Sequence, residues 1–318
     1  MTDLHIYTEG DLQRGLGHLT RCSAYATIWA QQHGNVRWVV DGDHTARNML
    51  HDGHIEWRTW QDKPVTERQD ALAIVDSYSA TLPVLHSIAD NYRRVVYLDD
   101  TFRLPYPAGL VVHAAPGEPQ PVAGEAEWLW GPAWQPLRPA FWNIPKRTHV
   151  AERVGRILIL MGGTDLHNLT PRMVELARAV YPNAEIHAVI GPQPQQNIAG
   201  CITHRELNDR QIALLMCESD VAISAAGQAT FELARCSLPT VLIAIADNQA
   251  QQYSEWSKTL AFRPAGWWSE TYLDLKVQRQ LEALREQGTR EKAASIGALI
   301  VDGLGALRIL NWMMGNEH

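Results

Sequence analysis

Cysteine, clustered positive charge and long apolar runs are all scarce in this chain of 318 residues. The four cysteines, Cys22, Cys201, Cys217 and Cys236, lie far apart with no CxxC pair. That spacing argues against a disulfide framework and against a zinc site, so the thiols are expected to be reduced and mostly buried. A net charge of −7 and a pI near 6.0, without a basic run, argue against a nucleic-acid groove, which needs clustered positive charge for the phosphate backbone. No stretch reaches the roughly 18 uninterrupted apolar residues of a membrane span. The N-terminal MTDLHIYTEGD lacks a basic region followed by an apolar segment, so a cytoplasmic protein without membrane insertion is expected. There is no low-complexity segment and no internal repeat at a period of about 20 to 50 residues.

What is present is enough apolar material, 46% of residues against 20% charged, for two domains of roughly 150 residues each. Short apolar runs alternate with helix-type segments. Leu4–Thr8, Val36–Val40, Ala71–Asp76, Arg94–Asp100 and Leu110–Ala114 read as strands, with His18–Gly34 as the first helix. Buried runs alternating with helices predict a parallel sheet covered on both faces. The pattern breaks between Gly117 and Arg147 into proline, glycine and tryptophan and restarts at RILILMGG (Arg156–Gly163). Further strands are read at His187–Gly191, Asp220–Gly227 and Pro239–Ile245, with helices around Asp209–Glu218 and Gln228–Cys236. The boundary is placed near Ile144–Arg153, giving residues 1–146 and 147–318, the latter ending in a helical segment. The expected fold class is α/β, two doubly wound Rossmann-like domains facing each other across a cleft, with ligands at the carboxyl ends of the strands.

Three motifs fall at such strand ends. RGLGHLTRC sets His18 directly after the Gly15–Gly17 step, between Arg14 and Arg21. MGGTDLHNLT offers Gly162, Gly163 and Thr164 after a strand, and Asn168 where a helix opens whose free N–H groups would favour an anion. It has neither a Walker lysine nor GxGxxG spacing, and a tight turn of small residues explains it equally well. The strongest is SDVAISAAGQATFELARCSLPTVLIAIADNQAQQ. Small residues around Ser224, Ala226 and Gly227 allow a ligand close to the backbone, and Gln228, Ala229 and Thr230 present amides at a helix start. Glu232, inside that helix, can accept both hydroxyls of a ribose, or simply favour the helix dipole. Asn248 and Gln249 supply amides toward sugar hydroxyl or acetamido groups.

With these segments in order, and with VDSY (Val75–Tyr78), LDD (Leu98–Asp100), GPAWQPLRPAF (Gly131–Phe141) and VDGLGALRIL (Val301–Leu310), the chain resembles the PseG family of nucleotide-sugar hydrolases in pseudaminic acid biosynthesis over almost its whole length. That family removes UDP from UDP-2,4-diacetamido-2,4,6-trideoxy-β-L-altropyranose and is similar in turn to MurG-type glycosyltransferases. The resemblance implies a GT-B fold with UDP in the C-terminal domain, no metal and no cofactor, and His18 as the base that takes a proton from the attacking water. An imidazole, titrating at about pH 6.5 in the unperturbed state, suits that task. It also implies a small-molecule partner, a UDP-amino sugar. Gly17, Arg14 and Arg21 are expected beside the substrate. Asp11, Asp76 and Asp100 are expected to orient His18, bind the sugar or cap turns. Tyr78 and Trp134 stack on the sugar ring or pack nearby. Val111–Ala115 replaces an asparagine-containing stretch of the family, which puts His113 on the sugar side. Three alternatives stay open at this stage: a GT-B transferase using an alcohol acceptor, a hydrolysing UDP-sugar 2-epimerase, or a nucleotide-sugar binding protein without catalysis.

Overall fold

Val, Ile, Leu and Ala fill both faces of the central strands, and the computed structural model, which describes residues 2–50, 53–163, 165–191 and 198–315, lays them out as two sheets. By contact the chain divides into one unit of Met1–Pro139 with Gly303–His318, and a second of Ala140–Asp302. In the first, β1 (Asp3–Gly10), α1 (Gly17–Gln32), β2 (Val36–Gly42), α2 (His44–Met49), β3 (His54–Trp57) and β4 (Ala71–Asp76) are followed by α3 (Leu82–Asn91), β5 (Arg94–Leu98), β6 (Leu110–His113) and β7 (Glu127–Trp130). The sheet order is β3-β2-β1-β4-β5-β6-β7, parallel throughout. Thr8 of β1 pairs with Asp76 of β4, so the loops leaving these two strands emerge side by side.

The second unit repeats the design. It contains β8 (Arg156–Leu160), α4 (Thr170–Val180), β9 (Glu185–Val189), β10 (Ile202–His204), α5 (Asp209–Glu218), β11 (Val221–Ala225), α6 (Ala229–Arg235) and β12 (Thr240–Ala244). After these come α7 (Ala250–Lys258), β13 (Phe262–Trp267), α8 (Leu273–Ala283) and α9 (Gln287–Ile300). Its parallel sheet runs β10-β9-β8-β11-β12-β13, with Ile157, Ile159, Ile223, Val241 and Ile243 in the core. Helix α9 lies close on α6, where a methyl at Gly297 would come within 2.9 Å of the Ala234 carbonyl oxygen.

The end of the chain corrects the expectation that residues 147–318 form one domain. Helix α10 (Gly305–Met314) belongs to the first unit. It buries Ala306, Ile309, Leu310 and Met313, and Gly305 sits so tightly on the turn at Pro132–Trp134 that a methyl there would collide with the Trp134 and Gln135 backbone. Arg308 donates to the Ala133 carbonyl at 2.8 Å, and the Arg94 guanidinium lies 5.3 Å from the Trp312 ring centre. Sequence adjacency favoured the second domain, but the partners of this apolar face are in α1 and β5. Residues Gln287–Met314 together have the length and hydropathy of a membrane span, with half of the apolar window buried. They are interrupted after Ile300, and each of the two helices packs on its own unit.

Candidate active site

The first site is built by the chain leaving β1. Gly15 turns the backbone with φ +80°, a left-handed conformation that a side chain would strain, and α1 then starts at Gly17. Spacing of three on that helix places His18 and Arg21 on one face, toward the end of β4. His18 Nδ1 is 2.6 Å from Asp76 Oδ1. Arg21 grips the same carboxylate with two nitrogens, Nε to Oδ2 at 2.5 Å and Nη2 to Oδ1 at 2.5 Å, and reaches Asp100 Oδ2 with Nη1 at 3.1 Å. Tyr78 closes the ring. Its hydroxyl donates to Asp100 Oδ1 at 2.6 Å, and its ring stands edge-on to His18 with centres 4.4 Å apart.

Electrostatics fix the proton positions. Asp76 is fully buried. Burial by itself would raise its carboxyl, but the Arg21 charge and then His18 outweigh it and hold the group at about 2. An ionised carboxylate only accepts hydrogen bonds, so His18 must present its Nδ1 proton to Asp76. The lone pair of the neutral ring is then on Nε2, which makes no hydrogen bond among the described residues. Burial likewise works to raise Asp100, but Arg21 and the Tyr78 hydrogen bond bring it below the usual carboxylate range. Burial, then Asp100, pushes the Tyr78 phenol far up, keeping it a donor. One guanidinium thus serves two carboxylates, and the imidazole is held in one tautomer.

A third carboxylate, which the sequence reading did not single out, organises the loop after β4. Glu9, fully buried at the end of β1, accepts from Ser77 Oγ at 2.8 Å, Tyr78 N at 2.8 Å and Gln61 Nε2 at 2.8 Å, and also from Ser79 Oγ. Arg14 comes within 3.3 Å of it while also pairing with Asp11 at 2.7 Å and Asp41 at 3.2 Å. Asp11 caps its own turn through the Gln13 and Arg14 N–H groups. The Asp99–Asp100 pair is split. Asp99 caps Thr101 and Arg103, and Asp100 joins the His18 ring. Among the described residues no group of three or more His, Cys, Asp or Glu is arranged to hold a metal ion. His113 is 3.0 Å from the Asp99 carbonyl and stacks on Phe102, 4.4 Å between centres, with Trp128 and Trp130 around it. Trp134 is half-buried beside α10, in the short turn against which Gly305 packs.

In the second unit the loop from β11 to α6 is fastened by Gln252, a residue of α7 that was also not foreseen. Its Nε2 donates to the carbonyls of Ala226 at 3.0 Å and Gly227 at 2.7 Å and to Thr230 Oγ1 at 3.0 Å. Thr230 N–H is bonded to the Gly227 carbonyl at 3.1 Å, and Ser224 Oγ to that of Ala225 at 3.0 Å. Gln228 and Ala229 are half-buried, and Glu232 lies inside α6 with 7% exposure. Gln249 accepts from Ile245 N at 3.1 Å, and Asn248 is exposed beside it. The loop after β8 differs from expectation. The N–H groups of Leu169 and Thr170 at the start of α4 are not free, because Asp165 accepts both at 2.8 and 2.9 Å. Gly162, Gly163 and Asn168 are exposed, and Thr164 lies outside the described residues. His167 stacks on Trp268 with centres 3.5 Å apart and is 3.0 Å from the Ile245 carbonyl, tying the ends of β8, β12 and β13 together.

Two Rossmann-like units of parallel strands with alternating helices make this a GT-B fold. MurG of Acinetobacter baumannii is similar with a TM-score of 0.69 at 13% identity, over 99% of this chain and 100% of that one. The calicheamicin glycosyltransferase CalG4 is similar with a TM-score of 0.62 at 13% identity, over 99% and 98%. The UDP-GlcNAc 2-epimerase of Neisseria meningitidis, bound to UDP-GlcNAc, has a TM-score of 0.55 at 13% identity, over 99% and 100%. In sequence, the uncharacterized protein MJ1062 of Methanocaldococcus jannaschii is 20% identical over an alignment of 286 residues that covers 80% of this chain and 58% of that protein. The chain therefore spans less than two thirds of that relative's length. No family model matches.

Proposed function

We propose that this protein hydrolyses a UDP-linked acylated amino sugar of the pseudaminic acid pathway type in the cytoplasm. Water adds to the anomeric carbon as the bond from that carbon to the UDP oxygen breaks, with inversion. The departing UDP keeps the bonding electron pair, and His18 Nε2 takes the proton from water. The observation that carries this reading is the His18–Asp76 contact of 2.6 Å. A buried, ionised carboxylate on Nδ1 leaves Nε2 as the basic nitrogen and stabilises the imidazolium formed in the transition state, the role an orienting carboxylate has beside a general-base histidine. Arg21 and Asp100 support Asp76 and Tyr78, and Arg14 with Asp11 shapes the turn before His18.

The UDP is assigned to the second unit, at Ser224–Thr230 and Glu232, with Gly162, Gly163 and Asn168 in the loop after β8 and Asn248 and Gln249 toward the sugar. Two named fold relatives support a nucleotide-sugar ligand: CalG4 is a glycosyltransferase by title, and the epimerase was solved with UDP-GlcNAc. The same likeness favours a second reading, transfer of the sugar to an alcohol acceptor. Incubating the purified protein with UDP-diacetamido sugars in EDTA, without acceptor, separates the two: stoichiometric UDP and free sugar support hydrolysis, and release that depends on an added alcohol supports transfer.

A further inference from the structure

The turn that carries Tyr78 has no regular secondary structure of its own, and one carboxylate takes hydrogen bonds from three consecutive residues of it. We infer that Glu9 is a positioning residue for the proposed reaction: it fixes the Ser77–Ser79 turn, so that Tyr78 holds Asp100 and flanks His18. This rests on the hydrolase reading above. Ser77 Oγ, Tyr78 N and Gln61 Nε2, each at 2.8 Å, donate to Glu9, as does Ser79 Oγ, and Arg14 Nη1 is 3.3 Å away. All of these point at a side chain with no solvent exposure. Burial would raise the Glu9 carboxyl, but the hydrogen bonds from Ser79, Gln61 and Ser77 lower it, so it accepts from every neighbour and donates to none. Beyond the turn the chain of contacts is short: the Tyr78 hydroxyl to Asp100 at 2.6 Å, Asp100 to Arg21 at 3.1 Å, and the Tyr78 ring against His18. Gln61 extends the same brace to Asp41 at 2.9 Å.

Glutamine at position 9 keeps the shape but not the polarity. In one orientation its amide group faces Tyr78 N–H, which cannot turn away; in the other it faces Gln61 Nε2 and Arg14, which cannot accept. The turn must then shift, and displacements near 1 Å in a catalytic array cost up to about 100-fold in rate. The test measures Glu9→Gln, Ser79→Ala, Tyr78→Ala and the Glu9→Gln/Tyr78→Ala double variant, with kcat and KM from UDP release, UDP affinity by calorimetry, and the His18 ring signals by NMR without substrate.

Expected are a fall in kcat of about 10- to 100-fold for Glu9→Gln with UDP affinity unchanged, a smaller fall for Ser79→Ala, and a shifted His18 ring signal in both. The double variant should be no slower than Tyr78→Ala, because the Glu9 effect passes through Tyr78. A folded Glu9→Gln protein with wild-type kcat and an unmoved His18 signal overturns the inference, and so does a double variant whose losses multiply. If Glu9→Gln does not fold, Ser79→Ala decides by the same two readouts. A wild-type protein that releases no UDP refutes the hydrolase reading instead, and the NMR arm still tests Glu9.

Discussion

Replacing Asp76 by asparagine changes one oxygen for an amide group and removes the charge on which the first site depends. Two consequences can be sized. Asp76 is held at about 2 against an ordinary value of 3.8, which corresponds to about 2 kcal/mol of native-state stabilisation by its ionised form. Because the folded value is the lower one, this contribution is complete above about pH 4 and is lost as the pH falls through about 2. Asp76→Asn removes it at all pH values and leaves Arg21 buried with Asp100 as its remaining carboxylate, so the expected loss at pH 7 is about 3 kcal/mol. The second consequence is on the imidazole. An asparagine amide facing Nδ1 favours the tautomer with the proton on Nε2, and the ring then has no lone pair for water. In a serine-protease triad the corresponding change costs about 10,000-fold in kcat; here a loss of about 100- to 10,000-fold is expected, with UDP affinity intact. Urea denaturation between pH 2 and 7, UDP-release kinetics and UDP calorimetry measure all three. A folded variant with kcat within about threefold of wild type would refute the orienting role, and an unchanged acid branch of the stability curve would refute the charge assignment.

Glu232→Gln should weaken UDP binding in EDTA by about 1.5 to 3 kcal/mol if the carboxylate accepts the ribose hydroxyls; calorimetry showing equal affinity would remove that assignment. Asp165→Ala takes away both acceptors of the first α4 N–H groups and should lower stability by about 1 to 2 kcal/mol in urea melts, whereas an unchanged midpoint would mean that water replaces them at no cost. Leu310→Ala on the buried face of α10 should destabilise the first unit by about 2 to 5 kcal/mol; a loss near zero in denaturant titrations would show that α10 is not integral to it.

Much of this fold is legible because buried parallel strands are written as continuous apolar runs. ALAIVD forms β4 with the boundaries read from the sequence, and the helix read at Asp209–Glu218 forms as α5 behind an Asn208–Gln211 capping box. The short outer strands HIEW and ITH (β3 and β10) mix polar with apolar residues and show no periodicity, and EWLW (β7), although mostly apolar, is four residues long and lies in the Pro-, Gly- and Trp-rich stretch where the strand pattern breaks. The place of α10 was hidden for another reason: its apolar stripe shows that it packs, but not on which unit. In the site, His18, Asp76, Arg21, Asp100 and Tyr78 are brought together as one hydrogen-bonded chain, closed by the edge-on contact of the Tyr78 and His18 rings. Glu9 and Gln252 escaped notice because their partners, Gln61 and Ser77–Ser79 for one and Ala226–Thr230 for the other, are distant in sequence. A lone glutamate at a strand end reads as solvent-facing until those donors are placed around it.

Acceptor-free release of UDP by wild type and by His18→Asn, from the same UDP-diacetamido sugar in EDTA, tests the central claim most directly. The account predicts steady hydrolysis by the wild type, a rate at least about 100-fold lower for the variant and the same UDP affinity for both. Turnover by His18→Asn at the wild-type rate would contradict it.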